Sequence, residues 1–181
     1  MGKDTLILRK KIMEYGKQNN LNVVSLTKEE RTTACNAIIT KTENEKRYFL
    51  LGLRAKHKSG GGQWGLIGGT QTIGETMEET LKRELFEEIG IKVELKDVKW
   101  NNFFQCLATE KVHFDHHGFV IDKWTGKIEN KEPNKCDELR WFAEDELPLD
   151  NFFVSKGNLV NFLNGEKYNT KTNFDYRARV K

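Results

Sequence analysis

The 181-residue chain holds three cysteines, Cys35, Cys106 and Cys136, and no two of them stand at a spacing that would clasp a metal. An odd, scattered set of thiols excludes a disulfide framework and a zinc module, and it suits a reducing compartment. Apolar runs long enough to cross a bilayer are missing, as is a signal-peptide pattern, so the expectation is a soluble, cytoplasmic protein with no membrane partner. A charge bias is missing too. The 30 basic and 27 acidic residues are scattered and leave a net charge of +3, too little to argue for duplex nucleic acid although compatible with a small polyanion. Hydrophobic residues make up 37% of the chain, which is low but still globular, and the length suits one domain with a sizeable core.

What the chain does have is a dense stretch from Gly69 to Ile91, GTQTIGETMEETLKRELFEEIGI. Thr76 followed by Glu79 is a capping-box pattern, and Gly90 stands where a left-handed cap would stop a helix, so residues 76 to 89 are expected to be helical. At about 100° per residue, Met77, Leu81 and Leu85 form one apolar stripe, with Glu84 and Glu88 within or beside it. Glu78, Glu79, Lys82 and Arg83 project away from the stripe, and Arg83 is placed to pair with Glu87 one turn on. Glu84, Glu87 and Glu88 therefore crowd the core-facing side. There like charges raise one another's pKa, and desolvation costs several kcal/mol per ion unless something neutralises them. A divalent cation is the natural neutraliser: three carboxylates suit Mg²⁺ or Mn²⁺, and Mg²⁺ commonly completes its shell with waters and substrate phosphates.

Gly69, Glu75, Arg83, Glu84, Leu85, Glu87, Glu88, Gly90 and Ile91 match every position of G-x5-E-x7-R-E-U-x-E-E-x-G-U, where U is a bulky apolar residue. Seven identities at fixed spacing arise by chance on the order of once in 10⁸ windows, which rules out coincidence. The segment resembles the signature of the Nudix hydrolases, and the likeness extends over residues 34 to 148. The resemblance implies an α/β fold, an α/β/α sandwich with a mixed sheet and a signature loop-helix-loop. It implies hydrolysis of a nucleoside diphosphate linked to a further group. Carried over by position, Glu84, Glu87, Glu88 and the carbonyl of Gly69 would hold Mg²⁺, or Mn²⁺ in its place. Glu75 and Arg83 would tie loop to helix, with Arg83 orienting Glu87, and Glu84 would be the first choice of general base. Within that family the expected substrate is a free nucleotide, most readily a nucleoside triphosphate cleaved to monophosphate and pyrophosphate. The alternatives are ADP-ribose, a nucleotide sugar or a dinucleoside polyphosphate, and, from a different class, a non-catalytic nucleotide sensor.

The rest of the chain divides into an N-terminal extension over residues 1–32, a core over 33–165 and a polar, basic tail over 166–181, all within one domain. Residues 4 to 18 read as an amphipathic helix broken by QNNLN. Its roles are to cap the sheet, to form a homodimer contact or to wall the substrate. Ala34–Thr40 and Tyr48–Leu53 read as a hairpin around KTENEK. Beyond it, Arg54 and the KHKSGGGQWG segment suggest a mobile basic loop able to fold over an anion, with Arg54 and Lys56 as candidate substrate contacts. Trp64 to Gly69 is similar to the family's Trp-x-x-Pro-Gly-Gly lead-in, with Ile67 in place of proline.

IKVEL and Phe103–Ala108 are expected to be strands. A strand over 111 to 123 would put His113, Asp115 and His117 on one face and His116 on the other. His113 and His117 lack the further ligands of a closed metal site, whereas His116 or His117 could line a substrate cleft. Glu132, beside Pro133, is a candidate ligand or base reaching in from a loop. Trp64, Phe103, Phe104 and Trp141 are either core or stacking surfaces for a base. Glu146-Leu147-Pro148 closes a short helix, and another helix runs from about 156 to 163. Family members that remove oxidised purine nucleotides can show Trp-Pro-Asp-Asp after the Leu-Pro turn, the two acids reading the base edge. This chain has Phe153-Val154-Ser155-Lys156 there.

Overall fold

A computed structural model describes residues 31–107 and 113–169. The hairpin forms as expected but is longer: β1 spans Arg31–Glu43 and β2 spans Lys46–Arg54, and Asn44 and Glu45 both take positive φ to turn the chain between them. Alternation along these strands serves two cores. Ala37, Ile39 and Leu50 point to one face, and Ile38, Phe49 and Leu51 to the other.

Short strands β3 (Trp64–Gly65) and β4 (Ile67–Thr70) follow, then helix α1 (Met77–Ile89), β5 (Lys99–Leu107), β6 (His113–Ile121), β7 (Cys136–Ala143), helix α2 (Lys156–Leu163) and β8 (Tyr168–Asn169). The strand order is β3-β2-β1-β6-β5-β8, with β4 on β1 and β7 on β2. β1 pairs in parallel with β6 along one edge, while its other edge is shared: residues 34–37 pair with β4 and residues 40–43 with β2. That division opens the sheet beside Gly68 and Gly69, next to the C-terminal half of α1.

Leu81, Leu85 and Ile89 of α1 are fully buried against Cys35, Ala37, Phe119 and Ile121. Each such side chain contributes about 1.5–3 kcal/mol. On the opposite face Leu159 of α2 packs with Ile38, Phe49 and Leu51, so the sheet lies between two helices as an α/β/α sandwich. The start of α1 is closed by the expected capping box, with Glu79 N donating to Thr76 Oγ1 at 3.2 Å and Thr76 N to Glu79 Oε2 at 2.7 Å. Gly90 ends it at φ 77°. Thr76→Ala is expected to cost about 1 kcal/mol, lowering the melting temperature by about 2–4 °C in thermal denaturation followed by circular dichroism.

Several expectations change. IKVEL is not a strand: Lys92 makes one bridge to Thr125, and Leu95–Asp97 is a 3₁₀ turn. Its alternation is nonetheless real, because Ile91 and Val93 are buried and Lys92 is exposed, but the neighbour is a loop instead of a sheet. The next strand begins at Lys99, well before Phe103. The helix before Pro148 is a single 3₁₀ turn, Glu144–Glu146. Residues 168–169, read as polar tail, pair in parallel with Phe103 and Phe104. The glycine-rich loop is tied down by backbone bonds, including Gly62 N to Arg54 O at 2.9 Å and Gly61 N to Lys58 O at 2.8 Å. Asn151 Nδ2 donates to Gly62 O as well. The expected N-terminal helix at 4–18 and the last twelve residues lie outside the described residues. No helix among the described residues is long and apolar enough to cross a membrane.

Candidate active site

Arg83 organises the signature segment. All five of its N–H donors are engaged: Nε and Nη2 hold the two oxygens of Glu75 at 2.8 and 3.1 Å, Nη1 bridges Glu84 Oε1 at 2.7 Å and Glu87 Oε2 at 3.1 Å, and Nη2 also reaches Thr70 O at 3.3 Å. Glu75 is fixed further by Thr80 Oγ1 and the Thr72 amide. The Arg83 guanidinium holds the Glu75 carboxyl down at about 2, and the Glu75 and Glu84 carboxylates in turn raise the pKa of Arg83. Loop and helix are thus stapled by a pair that stays ionised across the neutral range.

Glu88 is placed differently. It is partly buried, and its Oε2 accepts from Gly68 N at 3.2 Å. Burial pushes its carboxyl up to about 7, Glu84 and Glu132 add to the rise, and the Gly68 amide and Lys135 oppose it. Gly69 is tight against the same group of acids, since a Cβ there would stand 2.3 Å from the Glu84 carboxyl carbon. Gly69 O also faces the Cys35 thiol at 3.7 Å.

The oxygen donors suit a hard divalent cation. Glu84, Glu87 and Glu88 each keep one carboxylate oxygen outside the bonds just named, and Glu88 is a partly buried acid lacking full neutralisation. Among the described residues no three His, Cys, Asp or Glu side chains stand already grouped as a metal site. Arg83 lies between Glu84 and Glu87, so gathering the three acids requires those side chains to rotate.

A cleft of about 200 Å³ opens beside Glu88, lined among others by Arg54, Lys58, Glu132, Lys135 and Phe153. Arg54 is fixed there, its Nε donating to Ser59 O at 3.0 Å and its guanidinium lying 4.1 Å from the Phe153 ring centroid. Lys135 pairs with Glu132 at 2.7 Å. Of the residues singled out from the sequence, the cleft brings together Glu88, Arg54 and Glu132. Lys56 is exposed outside its lining. Trp64 is 8% exposed and packs edge-on to Phe142 at 4.8 Å with Arg140 over its ring, as core.

The two histidines also lie elsewhere. His116 is buried beneath α2: its Nδ1 is 3.1 Å from Asn36 Nδ2, its ring stacks on Phe104, its Nε2 has no partner, and burial pushes its pKa down to about 4. Asn36 also donates to Asn158 Oδ1. His117 is half-buried and edge-on to Phe103, with burial lowering its pKa. Lys58 belongs to the basic loop expected to fold over an anion, whereas Lys135 and Phe153 were not singled out from sequence as contacts. Only the i,i+3 spacing of Glu132 and Lys135 within one turn gave a local signal for that pair.

Residues 30–162 match the model of the NUDIX domain, and the chain belongs to the Nudix family. The zebrafish (Danio rerio) oxidized purine nucleoside triphosphate hydrolase is 34% identical over 107 residues, 58% of this chain and 64% of that protein. The NAD-capped RNA hydrolase NudC of Actinobacillus succinogenes is 32% identical over 129 residues, 67% of this chain and 46% of that protein. The chain thus spans from under half to just under two thirds of these relatives. The crystal structure of the MutT NUDIX hydrolase from Burkholderia pseudomallei superimposes with a TM-score of 0.57 at 29% identity, covering 66% of this chain and 88% of that one.

Proposed function

We propose that this chain is a divalent-metal-dependent hydrolase of nucleoside diphosphates linked to a further group, and that its substrate is a nucleoside triphosphate cleaved to monophosphate and pyrophosphate. The observation that carries this reading is the cleft, where Glu88 shares one lining with three cations, Arg54, Lys58 and Lys135. Carboxylates serve the reacting phosphorus through a metal, and cations beyond them suit a substrate that remains polyanionic past the scissile bond. A neutral sugar at that place would leave Lys58 without a charged partner.

Mg²⁺, or Mn²⁺ in its place, held by Glu84, Glu87, Glu88 and the Gly69 carbonyl, would offset phosphate charge and lower the pKa of bound water. The protein's own part is placement. Arg83 anchors Glu84 and Glu87 by one oxygen each until the acids turn toward the cation, and Gly68 presents its backbone amide to Glu88. The oxygen of a water joins one phosphorus, the P–O bond to the bridging oxygen breaks, pyrophosphate leaves, and Glu84 accepts the water's proton. Two relatives are named as hydrolases, one of oxidized purine nucleoside triphosphates and one of NAD-capped RNA. The acid pair that can read an oxidised purine is replaced here by Ser155 and Lys156.

A panel of ribo- and deoxyribonucleoside triphosphates, ADP-ribose, nucleotide sugars and dinucleoside polyphosphates with Mg²⁺, resolved by product, tests the proposal. Pyrophosphate and monophosphate released from a triphosphate are the expected products. Preferential release of monophosphate and sugar phosphate would replace this reading by a sugar-linked substrate, and silence across the panel would leave a nucleotide sensor.

A further inference from the structure

Lys135 stands in a turn closed on Glu132, with Lys135 N and Cys136 N both donating to Glu132 O at 2.8 and 3.0 Å. The turn puts the two side chains on one side, and Nζ meets Glu132 Oε1 at 2.7 Å. Lys135 O accepts from Ala55 N at 2.9 Å, which anchors the turn to the root of the basic loop. Its ammonium lies in the field of Glu132 first, then of Glu88 and Glu84. Arg54 is held in the same cleft by Ser59 O and Phe153, and Lys58 has no side-chain partner among the described residues. Lys135 is therefore the cation of the cleft whose present partner is an acid that a phosphate can replace.

Resting on the triphosphate reading, we propose that Lys135 is a specificity-determining residue that exchanges Glu132 for a phosphate of the substrate, and that in the free protein its ammonium weakens divalent-cation binding to the neighbouring carboxylates. The exchange is cheap. The lysine is 56% exposed, and such a pair contributes about 0–1 kcal/mol, whereas a phosphate offers more charge and more acceptor oxygens. Removal of the ammonium from Glu132 and Glu88 also lifts the repulsion that a cation would meet. Nucleotide and metal therefore promote each other's binding through one side chain.

Lys135→Met keeps an unbranched side chain one atom shorter and removes its charge, and Lys135→Arg retains the charge. Calorimetric titration of the nucleotide-free protein with Mn²⁺ should show binding about tenfold tighter in Lys135→Met than in the wild type. For the best triphosphate, the KM of Lys135→Met should rise about tenfold with kcat within about twofold. Lys135→Arg should return both quantities toward wild type, which a loss of packing alone would not reproduce. An unchanged KM, or Mn²⁺ affinity no tighter than wild type, overturns the proposal. If the wild type releases no pyrophosphate from any triphosphate, the substrate reading falls and the phosphate exchange with it, and the Mn²⁺ titration alone decides the counter-ion role.

Discussion

Glu88→Gln is expected to lower turnover on the order of 10³-fold or more while leaving the fold intact and, in metal-free buffer at neutral pH, more stable. The two effects have one source, a carboxylate kept partly buried beside Glu84 and Glu132. Gln still accepts a hydrogen bond from Gly68 N but carries no charge to offer a cation. The stability gain has a defined pH window. Below about pH 4.5 the carboxyl is protonated in both folded and unfolded chains, so wild type and variant should melt together. From about 4.5 to about 7 the unfolded chain ionises while the folded carboxyl keeps its proton, and wild-type stability falls with rising pH. Above about 7 both states are ionised and the difference levels off, on the order of 1–3 kcal/mol in favour of Gln. Thermal melts of both proteins in EDTA from pH 4 to 8 check this. Parallel curves would mean that Glu88 is not held against its charge, and normal turnover in the variant would remove it from the reaction.

The adjacent glycines should fail in different ways. Gly68 takes φ +147°, and a Cβ there would stand 2.1 Å from Cys35 O and 3.0 Å from Asn36 Cα. Backbone of a central strand cannot step aside, so Gly68→Ala is expected to cost more than about 3 kcal/mol and about 10 °C in melting temperature. The three atoms nearest to a Cβ on Gly69 all belong to the Glu84 carboxyl, the far end of a rotatable side chain. Gly69→Ala should melt within about 3 °C of wild type yet lose turnover on the order of 100-fold, because Glu84 is pushed from its place. Equal loss of stability in both variants, or full activity in Gly69→Ala, would contradict the close approach of Gly69 to Glu84.

The capping box, the stop at Gly90 and the buried stripe of α1 could be read from the sequence because they are local: each depends on residues three or four apart. IKVEL misled for a related reason. Alternation reports which side chains are buried, and Ile91 and Val93 are, but it is silent on whether the neighbouring backbone is a strand or the Thr125 loop. His116 looked like a cleft residue because histidines seldom pack as core, and only the Asn36–Asn158 bonds across the sheet show what receives it. The basic loop looked mobile from its glycines, whereas backbone bonds and Asn151, distant in sequence, hold it.

By itself the sequence determined the α1 segment, the partly buried placement of Glu84 and Glu88 and the pairing of Arg83 with Glu87, since helical periodicity converts spacing directly into direction, whereas Glu87, expected on the core-facing side, is exposed. Tertiary structure alone decided what those acids face. The sharing of β1 between β4 and β2 sets Gly68 against Glu88, and the pairing of β7 with β2, with Cys136 opposite Arg54, brings the distant Lys135 to the same cleft as Arg54 and Lys58. Such convergence comes from strand pairing over long separations, which no local pattern of residues encodes.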